Sequence, residues 1–141
     1  MASNASVSGV APLIGRILIV SLFIPSGIGK LTGFSAATAY AAAAGMPAPA
    51  LGVAVAIVVE VLVALALLVG WQARWAALIM ALFTLAAAFV FHAYWSSPPE
   101  QQYMQHIQFF KNMAIAGGLL FVFAFGPGTM SLDARAGGRG G

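Results

Sequence analysis

Residues 75–91 read WAALIMALFTLAAAFVF, and this stretch decides the fold. Between Trp75 and His92 its sole polar side chain is Thr84, and it carries no charge. A helix on the surface of a water-soluble bundle needs a polar stripe along one side. A helix apolar all round belongs in lipid, where crossing the hydrocarbon takes roughly 20 mostly apolar residues. Extended to its flanks, this block predicts a span over about 74–94. Three others meet the same requirement: 10–30, interrupted by Arg16 and Pro25; 48–70, with Glu60 as its single charge; and 110–130, entered through Lys111.

The composition agrees. Of 141 residues, 62% are hydrophobic and 6% are charged, with a mean hydropathy of +0.98. Soluble domains carry about a quarter charged residues, so a soluble enzyme is excluded, and so is a disordered chain. Six Lys/Arg against three Asp/Glu are too sparse for the phosphate-binding stripe of a nucleic-acid partner. Cysteine is absent. That removes disulfide exchange, iron–sulfur clusters, thiolate-held zinc and covalently attached haem, so redox work would need a bound cofactor or a partner protein.

The chain therefore reads as all-α: one four-span integral membrane domain, residues 1–132, with antiparallel helices, followed by a Gly-rich tail, 133–141, expected to be disordered. Ala37-Thr38-Ala39 resembles a processing site, but no Lys or Arg precedes Val10, so the first block is read as a span and not as a cleaved signal. Ser35 is expected to cap a short Ala-rich helix that Gly45 ends, with Pro47 opening the second span. The connection from Gly70 to Arg74 is tight, and the one from Trp95 to Phe110 is polar and rich in glutamine. Arg74, Arg135 and Arg139, with Arg16 near the same end, place both termini on the cytoplasmic side by the positive-inside rule.

Charges within spans are costly and need a partner or a function. Glu60 lies midway along the second span, on a stripe with Gly52, Ala56 and Ala64. Small residues at that spacing mark a close helix seam, so Glu60 is expected to point into the bundle. The structural reading pairs it with Arg16; the functional one makes it a proton-handling or ligand-binding group. Lys30, His92 and Lys111 fall at the outer end, where His106 and the glutamines of the third link can join them. His92 is either an interfacial aromatic beside Tyr94 and Trp95 or a group that bonds a quinone carbonyl or exchanges protons. A haem held by His92 and His106, or any other metal, is not expected.

The ordered set Arg16, Ser26-Gly27-Ile28-Gly29-Lys30-Leu31, Glu60, Phe91-His92, Phe109-Phe110-Lys111-Asn112 and Gly117-Gly118 resembles the DoxX family, small four-span proteins of the bacterial cytoplasmic membrane. The resemblance implies a protein tied to redox chemistry: the namesake relatives form a subunit of a thiosulfate:quinone oxidoreductase, and others associate with enzymes of oxidative defence. Its pattern positions here are Arg16, Lys30, Glu60, His92, Lys111 and Asn112. On that footing Glu60 and His92 are the catalytic candidates, and Lys30, His92, Lys111 and Asn112 the candidates for holding a quinone or small oxyanion. The expected setting is a lipid bilayer with a redox partner protein, in a homo-oligomer or a complex. Two other classes stay open: a scaffold without chemistry of its own, and a small proton-coupled permease working through Glu60.

Overall fold

The computed structural model describes residues 2–138, so Arg139 and the end of the expected tail lie outside the described residues. All four expected spans are helices long and apolar enough to cross a membrane. They are α1 (Ala2–Thr32), α3 (Pro49–Val69), α4 (Ala73–Phe91) and α5 (Pro99–Phe125). A short helix, α2 (Phe34–Ala43), joins α1 to α3, and another, α6 (Leu132–Gly137), follows α5.

The boundaries follow local chemistry. Gly45, at a φ of 80°, ends the α2 turn. The N-cap of α2 is Gly33 with no side-chain cap, so Ser35 does not play that role. The second span opens at Pro49 and not Pro47: proline is suited to the first helical turn because its missing N–H has no partner there anyway. At the far end, Gly70 (φ 72°) takes the left-handed conformation that commonly closes a helix. The chain then turns through Trp71 and Gln72 into α4, which makes α3 and α4 antiparallel neighbours.

Two expectations are corrected. The fourth span begins eleven residues before the expected 110, at Pro99, and the polar link is its first turns. Glutamine is a good helix former, and Ser97, extended as a residue before proline tends to be, lets the helix start at once. At 1.5 Å per residue, its 27 residues reach about 40 Å, longer than a hydrocarbon core of about 30 Å. Second, the tail is not disordered from Asp133 onward, since α6 is helical there. Ser131 caps it, its Oγ accepting from the Ala134 N–H at 3.2 Å. The Asp133 carboxylate accepts from the Gln72 and Ala73 N–H groups at 2.8 and 2.9 Å, satisfying donors that the start of α4 leaves free.

The bundle is packed with small side chains inside and large ones outside. Ala64, Ala73, Ala76, Ala77, Ala81 and Ala116 are buried with Val20, Leu67, Met80 and Leu119, whereas Leu18, Leu51, Leu62, Leu82, Phe121 and Phe125 are exposed to the lipid. In lipid there is no hydrophobic drive to bury the large residues, and alanine lets backbones approach closely.

Candidate functional site

Along α1, Ser26 and Lys30 are four residues apart and so share one helical face. Gly27 lies beside them at the contact with α3. A Cβ on Gly27 would come within 2.6 Å of Val61 Cγ2 and 2.9 Å of Glu60 Cβ, so only glycine allows this approach. The approach sets Lys30 over Glu60. Its Nζ donates to both carboxylate oxygens, at 3.0 and 2.8 Å, and to Ser26 Oγ at 2.8 Å. All three ammonium donors are thereby used. Glu60 sits in a π-helical stretch of α3, Val58–Val63, and is buried. Such wide turns occur mostly as single insertions within α-helices, frequently at functional sites.

The expected pair between Arg16 and Glu60 does not form. Arg16 is fully buried at the opposite end of the bundle, where Nη1 donates to the carbonyls of Leu67 and Leu68 and Nη2 to that of Met130. The reason is geometric: fourteen residues separate Arg16 from Lys30, roughly 21 Å along a helix. The last carbonyls of α3 lack intrahelical donors and carry the negative end of the helix dipole, so they are the natural partners of a buried guanidinium.

A cavity of about 310 Å³ opens beside the Lys30–Glu60 pair, and every helix from α1 to α5 contributes to its wall. Lys30, Glu60, His92, Lys111 and Asn112 all line it, among Leu22, Phe23, Val53, Ala56, Phe83 and Phe91. Tyr40 of α2 stacks on Phe91, with ring centroids 5.6 Å apart and planes 12° from parallel, closing one side. His92 follows the last turn of α4, and its Nδ1 lies 2.8 Å from Gln105 Oε1. The contact fixes the orientation of the imidazole, and which ring nitrogen carries the proton follows from its tautomer. Glu60 and Lys30 cancel, whereas Lys111 has no carboxylate within 4.0 Å among the described residues. The polar wall therefore carries a net positive charge.

Residues 11–93 match the DoxX family, and that is more than half of the chain. The chain belongs to the DoxX family. Two Escherichia coli relatives in this DoxX comparison are similar over nearly their whole length. Inner membrane protein YphA is 37% identical, covering 87% of this chain and 88% of its own. Inner membrane protein YqjF is 38% identical over 88% and 90%. A fission-yeast Surfeit locus protein 4 homolog is 33% identical over 48% of this chain and 23% of its own. No solved structure matches.

Within this DoxX fold, the structure brings Lys30, Glu60, His92, Lys111 and Asn112 together and leaves Arg16 and His106 elsewhere. His106 packs against Tyr94 and Phe110, with centroids 4.7 and 4.8 Å away, inside an aromatic cluster with Phe109 and Trp95. Lys111 and Asn112 lie beyond the matched stretch, on α5. Gln105 is one of the glutamines expected to join the outer cluster, and Tyr40 is a contributor that the sequence reading does not single out. The signal for Gln105 was present: once the polar link is read as helix, Gln105 and Asn112 stand two turns apart on one face.

Proposed function

We propose that this DoxX protein, seated in the inner membrane as its relatives' names imply for them, holds the ring of a quinone for a membrane-bound redox partner. The observation that supports this is one cavity in which an apolar floor meets a convergent set of polar groups, the usual make-up of a small-molecule site. A quinone ring has two apolar faces and two carbonyl oxygens that accept hydrogen bonds. Phe23, Phe83 and Phe91 suit the faces; Lys111 Nζ and the Asn112 amide suit a carbonyl. A volume of about 310 Å³ fits a ring and leaves an isoprenoid tail to the bilayer, since drug-sized sites run from about 300 to 1,000 Å³.

A bound quinone supplies two-electron, two-proton chemistry at its oxygens. The chain's own part is to orient the ring and handle protons. His92, its imidazole held by Gln105, would bond to a ring oxygen and exchange a proton with it. Glu60, clamped by Lys30, whose ammonium also donates to Ser26, holds a carboxylate at the wall of a cavity that the Tyr40–Phe91 stack partly shields from water. A pure scaffold has no need of five polar side chains turned into one cavity, which is why a ligand-holding role is preferred.

Gentle purification followed by solvent extraction and mass spectrometry tests the proposal. The parent is expected to retain quinone above its proportion in the surrounding lipid. His92→Ala and Lys111→Ala should each lower retention about tenfold, the equivalent of one lost hydrogen bond of about 1.4 kcal/mol, with melting temperature little changed. Quinone present only in proportion to carried lipid, for parent and variants alike, contradicts it.

A further inference from the structure

At the other end of α4 a second cavity opens between the start of α4 and the segment after α5. Arg74 dominates it. Nη1 donates to the carbonyls of Phe123 and Ala124, at 3.3 and 2.9 Å, tying α4 to the last turn of α5. The other edge of the guanidinium, Nε and Nη2, has no acceptor within hydrogen-bond reach among the described residues. That edge faces Gly126: a Cβ there would lie 3.5 Å from Nη2 and 3.6 Å from Nε. The absence of a side chain at Gly126, whose φ of 86° favours glycine, keeps the two-donor edge open to the groove. Trp75, 61% exposed, stands on the rim, and tryptophan settles at the headgroup level of a bilayer. Phe125 and Pro127 supply apolar wall.

We propose that the Nε–Nη2 edge of Arg74 holds a phosphate group at headgroup depth, either the phosphodiester of an anionic phospholipid or a free phosphate ion. Two parallel N–H donors match two phosphate oxygens, and guanidinium is favoured over ammonium for this reason. Basic recesses between spans are recognised sites for anionic headgroups. The local charge agrees: Arg16, Arg74 and Arg135 stand at this end against Asp133 alone among the described residues. Both Asp133 oxygens are bound to the N–H groups that open α4, which offsets its repulsion. The cavity with Glu60 lies at the opposite end, so the two proposals stand or fall separately.

Native mass spectrometry of the full chain offered equal phosphatidylglycerol and phosphatidylcholine reads the site. The parent should retain phosphatidylglycerol about tenfold over phosphatidylcholine. Arg74→Gln removes both the charge and the two-donor edge, so it should lose most of that preference, while Arg135→Ala, which removes a charge outside the groove, should keep it; circular dichroism verifies that both fold. A second arm titrates inorganic phosphate alone. Displacement of phosphatidylglycerol by phosphate supports one shared site occupied by lipid, and phosphate binding without lipid preference supports the same site with the free ion as ligand. A parent that shows neither preference nor phosphate binding overturns the proposal. So does a folded Arg74→Gln variant that retains both, or an Arg135→Ala variant that loses as much as Arg74→Gln.

Discussion

Replacing Arg16 by Ala is expected to lower the unfolding free energy by about 3–5 kcal/mol, the largest single effect among the charged residues. The guanidinium is 1% exposed and bonds to three carbonyls on two segments, Leu67 and Leu68 at the end of α3 and Met130 before α6. Alanine leaves the Leu68 and Met130 carbonyls without this donor in a water-poor place, leaves Leu67 with the Gly70 N–H alone, and opens a void as well. A second layer depends on the same spot: Ser131 packs against Gly70, and the Asp133 N–H donates to the Gly70 carbonyl at 2.9 Å. Losing Arg16 should therefore loosen α6 together with the α3–α4 turn. Arg16→Lys should recover only part of the loss, because one ammonium cannot span the fork of positions that two guanidinium nitrogens reach. Reversible unfolding in mixed detergent measures both variants. An Arg16→Ala protein that unfolds with the parent contradicts the assignment of this residue as the clasp of that end.

The second large effect is at the Lys30–Glu60 pair. Glu60→Ala removes the partner of an ammonium whose side chain is only 30% exposed, leaving it Ser26 Oγ alone. The expected loss is about 2–3 kcal/mol, below the 3–5 typical of fully buried pairs because solvent or headgroups can reach Lys30. Replacing both residues by Met should restore most of the stability, since paired charges exchanged for apolar groups of similar size are often neutral. The double variant should still hold the ring, because Lys111, Asn112 and the aromatic walls are untouched, but it should turn over slowly. Glu60→Gln keeps shape and hydrogen bonding while removing the charge, so it should retain the ring yet slow turnover of the redox assembly. If Glu60→Gln turns over at the parent's rate, Glu60 serves packing and not proton transfer.

How much of this was legible differs from residue to residue. The uncharged run from Trp75 to Phe91 specified a lipid-facing helix by itself, and the alanine faces of α3 and α4 foretold which sides pack. The partner of Glu60 was not legible. It depends on how far α1 slides along α3, which is set by the contact at Gly27, and no periodicity within either helix encodes an offset between two helices. Charge matching alone points to Arg16, but the carbonyls at the end of α3 compete for its guanidinium and are nearer. The glutamine-rich stretch reads as a link because its polarity resembles that of an irregular segment, yet polarity says only that those turns of α5 stand at or beyond the headgroups. Asp133 was lost in a Gly-rich tail for a related reason: a carboxylate that caps another helix 60 residues away leaves no local pattern.

Photolabelling with a short-chain azidoquinone, followed by peptide mapping, addresses the proposed ring site most directly. Label is expected in residues 34–46 and 83–92, which carry Tyr40, Met46, Phe83 and Phe91 of the cavity wall, and excess unlabelled quinone should suppress it. Label confined to lipid-facing positions such as Leu120, Phe121 and Phe125, and indifferent to competitor, would contradict a quinone site between Lys30, Glu60, His92 and Lys111.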